Sequence, residues 1–215
     1  LYNIKRVQTT DFIGYSREYA CYVYNEVAIK DGRLYRLNEE DFFDIGKLSI
    51  KTLSQSVGVH LNPDLKKLSN EWPRRLWQAF NAKGFVALSF WFGSFFAEQI
   101  RQEHKSYPFL EVIGEPGTGK STLIEFMWKL AGRADYEGFD PSKSTLAARA
   151  RNFAQVSNMP VVLIEGDRGD GKDAKQKGFD WDELKTAYNG RSVRARGLRN
   201  NGNETYEPPF RGAIV

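Results

Sequence analysis

The chain has 215 residues, 41% of them hydrophobic, 14% aromatic and 27% charged. These proportions suit a folded globular protein and exclude a chain disordered throughout. Lys and Arg number 31 against 27 acids, a net charge of +4, so where the basic residues sit matters more than their sum.

The single cysteine, Cys21, excludes an intrachain disulfide framework and a cysteine-rich metal site. The chain opens at Leu1 without a basic-then-apolar leader, and a reducing, cytoplasmic setting is expected. Its longest apolar run, Gly84 to Ala97, falls short of the ~20 residues that cross a bilayer. That run reads as a buried helix, and no membrane contact is expected.

Residues 1–62 read as a β-rich segment. Val27-Ala28-Ile29 precedes Asp31-Gly32, and Leu34, Tyr35 and Leu37 follow. Asp-Gly accepts the positive φ values of a type I′ turn, which predicts a hairpin of residues 26–30 and 33–37. The acids Glu39, Glu40 and Asp41 read as a solvated turn. The Tyr-rich strands offer a face for packing or for base stacking, packing being the commoner use. Asn62-Pro63 marks a break.

Residues 63–105 carry a helical pattern. Leu65, Leu68, Trp72, Leu76, Trp77 and Phe80 recur at three- and four-residue spacings, with Pro73 starting or kinking a helix. A second helix is predicted over 85–104, buried at its apolar start and wet at Glu98, Arg101, Gln102 and Glu103. His60 and His104 show no partner in the sequence.

Residues 106–215 carry the chemistry. Phe109 to Ile113 is a short apolar strand candidate. It runs into Gly114-Glu115-Pro116-Gly117-Thr118-Gly119-Lys120-Ser121, a full match to G-x-x-x-x-G-K-[ST], and a helix follows with Gly132 as its stop. Glycines let backbone N–H groups turn inward around a phosphate chain, and the helix N-terminus adds donors and partial positive charge. In this Walker A reading Lys120 bridges the β- and γ-phosphates of ATP, Ser121 binds Mg²⁺, and Thr122 contacts the α-phosphate. The bare pattern arises by chance in about 1% of chains this long at ~7% glycine.

A strand over 161–164, buried on both faces of a parallel sheet, ends in Glu165-Gly166-Asp167. Acids at the carboxyl edge of such a sheet face its ligand crevice. Glu165 takes the Walker B position, on Mg²⁺ or the attacking water, and Asp167 a supporting metal or water role. Two solvated loop acids are the competing reading. Between the two motifs lie a strand over 136–139 and a helix over 144–156. Its Arg149 and Arg151 are surface charges or reach a neighbouring subunit's phosphate. Residues 166–178 form a Gly/Lys/Asp-rich loop.

A short helix over 181–188, with Asp180 as cap, leads to a basic hairpin turning at Asn200-Asn201-Gly202-Asn203, and a strand over 212–215 follows. Arg191, Arg194, Arg196, Arg199 and Arg211 concentrate positive charge there. That charge suits contacts with a nucleic-acid backbone, or a solvated hairpin paired to Glu204 and Glu207.

The order of motifs, with Leu184-Lys185, Asn189-Gly190 and Val193-Arg194-Ala195-Arg196, resembles superfamily 3-like, AAA+-related primase-helicases of phages, plasmids and integrated elements. It is most similar to the helicase parts of toprim-domain-containing primases. The resemblance spans residues 108–215 and leaves 1–62 unexplained. It implies an α/β P-loop NTPase core with a parallel sheet, preceded here by the β-rich segment and the helical region. It also implies an ATP-driven DNA helicase or translocase working as a homo-oligomeric, hexameric ring, with nucleotide at the subunit interface. The hairpin, through Arg191, Arg194, Arg196 and Arg199, would grip DNA, single-stranded in this reading. The strand over 212–215 would carry a sensor residue beyond Val215, and no lid, second sensor or primase module is recognisable. A fragment of a longer protein is therefore expected. Two other classes fit the motif: a small-molecule phosphotransferase, with 166–178 as its lid, and an ATP-gated DNA-binding or assembly module that does not unwind.

Overall fold

A computed structural model describes residues 5–55, 57–62, 64–164, 179–193, 196–197 and 205–215. Within them the chain is a mixed α/β protein whose main sheet combines parallel and antiparallel strands. Seven strands come first: β1 (Gln8–Thr10), β2 (Ile13–Ser16), β3 (Cys21–Val23), β4 (Val27–Lys30), β5 (Arg33–Arg36), β6 (Phe43–Ile45) and β7 (Leu48–Thr52). The helices α1 (Trp72–Ser94), α2 (Ala97–His104), α3 (Lys120–Leu130) and α4 (Leu146–Ala154) follow. Then come β8 (Val156–Val161), α5 (Lys185–Tyr188), β9 (Arg196–Gly197), β10 (Thr205–Tyr206) and β11 (Arg211–Ile214).

Six strands form one sheet in the order β11-β8-β2-β3-β4-β5. The Asp31-Gly32 hairpin forms as predicted, with Lys30 opposite Arg33 and φ of 50° and 71° at the two turn residues. Glu39, Glu40 and Asp41 are exposed, as expected of a solvated turn. Tyr24 is buried, and half-buried Tyr22 donates its hydroxyl to the Phe95 carbonyl at 2.7 Å, so these rings pack. A smaller sheet, β1-β7-β6, closes over Cys21, Val23, Ala28, Phe43, Ile45 and Ile50 as a second core.

Every residue of β8 is buried, which a strand achieves when both its faces are covered, and α1, α2 and α4 all pack against it. It runs parallel to β2 on one side and to β11 on the other. It begins five residues before the predicted strand. Beyond Val161 the chain still bonds on both sides, from Leu163 N–H to the Val215 carbonyl (2.8 Å) and from Ile164 N–H to the Phe139 carbonyl (2.9 Å). The predicted strand over 136–139 is reduced to that bridge at Phe139.

β8 meets β2 at Gly14. A Cβ there would lie 1.9 Å from the Ser157 carbonyl oxygen, and φ is +109°, so only glycine fits. The next residue, Asn158, has φ of 52° and is fully buried. Between the pairs Ser157–Arg211 and Pro160–Ala213, Asn158 and Met159 of β8 oppose Gly212 alone on β11, a β-bulge. The bulge turns Asn158 toward α2. Its Oδ1 accepts the Glu98 N–H (2.7 Å), and its Nδ2 donates to Gln99 Oε1 (2.7 Å) and to the Tyr22 hydroxyl (3.3 Å). Helix α2 has no side-chain cap of its own, so Asn158 satisfies one of its orphan N–H groups from across the core.

Two helical expectations need correction. The predicted helix over 85–104 is broken at Phe95-Phe96, and its upstream half is continuous with the helix begun at Trp72-Pro73. Pro73 starts that longer helix, one of its two expected roles, sitting in the first turn where its missing N–H costs nothing, and the kink lies at Asn81 (φ 51°, ψ −145°). Leu68, counted in the helical pattern, lies outside α1 and is exposed. His60 does have a partner, Glu26 Oε1 at 3.1 Å, on the surface.

Gly14→Ala should cost about 3 kcal/mol or more, because overpacking against backbone adds to a positive-φ penalty. Gly32→Ala, with open space around it and φ of +71°, should cost about 1–2 kcal/mol. Urea unfolding of the two variants measures the difference. Burial pushes the Cys21 thiol up to about 11, with Lys30 opposing, so native protein at pH 8 should alkylate about a hundredfold slower than unfolded chain, read by mass spectrometry.

Candidate functional site

Tyr107 N–H bonds the Tyr188 carbonyl (3.0 Å) beside Gly190, whose own carbonyl accepts Phe210 N–H (3.2 Å). Three residues later Leu110 N–H bonds the Ile214 carbonyl (3.1 Å). Residues 107–113 therefore advance in the direction of β11 and leave it at its carboxyl end. The predicted strand over 109–113 is otherwise unladdered. The Leu110 bond is its single backbone bond to β11 among the described residues, and Ile113 is largely exposed.

The loop begins where that segment ends. Thr118 N–H bonds the Glu115 carbonyl at 3.3 Å, Pro116 supplies the fixed φ, and Gly117 takes φ of +78°: a type II turn. Gly119 follows at +85° and is the N-cap of α3, with no side-chain cap. A Cβ on Gly114 would lie 2.9 Å from Thr118 Oγ1, which itself donates to the Glu115 carbonyl (2.8 Å). A Cβ on Gly119 would only touch the Phe80 ring, at 3.4 Å, so its positive φ is what calls for glycine there. Each glycine thus answers a local demand, and the motif forms an exposed loop on a helix start.

The Lys120 amine folds inward and donates to the carbonyls of Gly114 (2.5 Å) and Glu115 (2.9 Å). Gly114, Glu115, Pro116, Gly117, Thr118, Ser121 and Thr122 are exposed, and Gly119 and Lys120 partly so. The first N–H groups of α3 have no intrahelical acceptor and point along the positive end of its dipole. This donor set suits a phosphate chain, and the Ser121 hydroxyl in the first turn suits its counter-cation. At the other end Gly132 stops α3, with φ of +82° and Arg133 N–H on the Trp128 carbonyl (2.9 Å).

Glu165 and Asp167, which follow Ile164, lie outside the described residues, as do Arg194, Arg199 and the turn over 200–203. β9 and β10 pair antiparallel, Arg196 opposite Tyr206, and only the backbone of Arg196 is described. Arg191 is exposed at the root of this pair. Arg211 is elsewhere: it opens β11 and lies over the Phe12 ring at 4.5 Å. Arg149 is no free surface charge, since it pairs with Glu183 at 3.7 Å and bonds the Ser144 carbonyl. Arg151 is exposed on the same helix.

The sequence pattern does not reveal the role of Arg101. Expected on the wet end of a helix, it is 7% exposed. Its Nε donates to the Tyr188 carbonyl (3.3 Å) and its Nη2 to the Ala187 carbonyl (3.2 Å), which caps the end of α5. The guanidinium lies over the rings of Tyr107 (5.7 Å) and Phe210 (5.3 Å). Burial pushes it down to about 10, opposed by Glu98 and Tyr107, which leaves it charged at neutral pH. Gly190 is tight against it: φ is +72° and a Cβ would sit 3.0 Å from Arg101 Cδ. Helix α2 is thereby fastened to the root of the basic hairpin. No local pattern signals this, because the acceptors are backbone carbonyls more than 80 residues away.

No protein-family model, curated protein or solved structure matches the chain. Among the described residues no helix is long and apolar enough to cross a membrane, and no group of His, Cys, Asp and Glu forms a metal cluster.

Arg101→Leu should destabilise the protein by about 1–3 kcal/mol, because it removes the charged donor from the Ala187 and Tyr188 carbonyls, each of which keeps one backbone N–H, and the cation from the Tyr107 and Phe210 rings. Limited proteolysis should then cut first between 189 and 211, and Arg101→Lys, which keeps one charged donor, should be intermediate.

Proposed function

We propose that the chain is the ATP-hydrolysing core of a DNA helicase or translocase of the AAA+-related, superfamily 3-like kind, working as a homo-oligomeric ring. One observation carries this reading: a glycine loop, turned by Gly117 and Gly119, runs into the start of α3 at the carboxyl end of parallel strands. Ligands of open α/β sheets bind at that edge. The loop and helix N–H groups would bind the β-phosphate. The Lys120 amine would exchange the Gly114 and Glu115 carbonyls for β- and γ-oxygens. Ser121 and Glu165 are the residues that would hold magnesium, which would supply charge neutralisation. Glu165 would orient the attacking water and accept its proton, with Asp167 in support. Positioning and charge stabilisation supply most of the rate in such transfers.

DNA enters this reading through the hairpin on β9 and β10. Arg191, Arg194, Arg196 and Arg199 would meet the backbone of a single strand, with little sequence preference. The connection from Arg101 to the hairpin root makes α2 the path by which the helical region feels hairpin movement.

Lys120→Ala should lower ATP hydrolysis at least a hundredfold, with or without single-stranded DNA, in a phosphate-release assay on the intact protein. Unchanged DNA-stimulated hydrolysis in that variant would refute the assignment.

A further inference from the structure

Arg211 opens β11, and at that amino end the surface falls into a cleft of about 1010 Å³. Ligand sites typically measure ~300–1,000 Å³, so the cleft is of ligand size. It lies about 10 Å, the length of β11, from the end where the glycine loop begins. Four cations line it (Arg17, Arg101, Lys105 and Arg211) with three carboxylates, Asp11, Glu18 and Glu98.

Two groups in this wall are unfinished. Arg101 is more than nine-tenths buried, and with Nε and Nη2 engaged its Nη1 has no hydrogen-bond partner among the described residues. Glu98 is partly buried. Burial holds its carboxyl above the ordinary range, while Arg211, Arg101 and Arg17 pull it the other way. Yet none of the three comes within 4.0 Å to form an ion pair with it. The arginines are held apart around a carboxylate, and the space between them is polar and open.

A guanidinium fork matches phosphate oxygens. A bare phosphate would also face Glu98 and be repelled. A phosphate ester does better, giving its phosphate to the cations and a sugar hydroxyl or base amino group to Glu98. We propose that this cleft binds a nucleotide unit through its phosphate ester, with Arg17, Lys105 and Arg211 on the phosphate and Glu98 accepting from the sugar or base. The cleft is lined in part by Asn189, Gly190 and Pro209, the root of the basic hairpin, so a single strand continuing from that hairpin is the favoured source. A free mononucleotide presents the same chemistry. The site stands apart from the glycine loop and does not require that the loop hydrolyse ATP.

Arg17 and Lys105 are exposed, so Arg17→Ala/Lys105→Ala should fold. The probes are a labelled oligothymidylate and AMP, both tested on the full chain in a Lys120→Ala background that removes binding at the loop. Oligonucleotide affinity should fall about tenfold, and the slope of log K against log salt should shrink by up to ~0.7, the share of the one single-strand phosphate that the cleft neutralises. With Lys120 intact, the double variant should keep the part of ATP binding that Lys120→Ala abolishes. If AMP loses affinity and the oligonucleotide does not, the site holds a free nucleotide and the proposal stands in that form. Absent binding of both probes, or affinities that the double variant leaves unchanged, overturns it. An oligonucleotide that still binds and responds only to Arg191→Ala would keep the hairpin reading while refuting the cleft.

Discussion

β2 approaches β8 so closely that the Ser157 carbonyl occupies the space where a side chain at residue 14 would begin. Through this contact the antiparallel strands β2 to β5 and the parallel pair β8 and β11 become one sheet. The bulge at Asn158 follows immediately, and its buried amide reaches α2 and Tyr22 together. A satisfied buried amide rigidifies its neighbours, since any movement leaves polar groups unpaired in a low dielectric. The amino end of α2 is therefore set by β8, and its carboxyl end, through Arg101, sets the root of the hairpin.

The two ends of β11 consequently have different chemistry. At the carboxyl end the chain turns through Gly117 and Gly119 and presents helix N–H groups to solvent. At the amino end, cations and carboxylates from α2, β11 and the segments flanking β2 converge on a cleft. A short strand, buried and parallel to its neighbour, connects them. In the function proposed here the first end takes ATP and the second lies beside the DNA-contacting hairpin. Coupling between them needs no long pathway, because α2 and β11 touch both the core and the hairpin root.

Local signals in the sequence were legible where one residue type answers one local demand. Asp31-Gly32 makes its turn because both residues tolerate positive φ. Gly132 ends α3, and Asp180 caps the turn before α5. Pro116-Gly117 bends the loop for the same kind of reason. The signals that misled were apolar runs. Residues 85–104 are apolar enough for one helix, but the break at Phe95-Phe96 is made where Tyr22 holds the Phe95 carbonyl and Asn158 caps the helix that restarts. Residues 109–113 have strand composition, yet a ladder needs a neighbour along its whole length, and only Leu110 has one at Ile214.

The sequence by itself determined the glycine turn before α3, the hairpin at Asp31-Gly32 and the order of a strand-rich segment ahead of the helices. These depend on φ preferences and spacings that act within a few residues. The tertiary structure decided that β2 to β5 join the sheet of β8 and β11, that Arg101 is buried at the hairpin root, and that the cleft at Arg211 exists. Each of these is a contact between backbone or charge far apart in the chain. Such a contact is stabilised only when both partners are brought out of water together, and so it leaves no periodic trace in either partner's own segment.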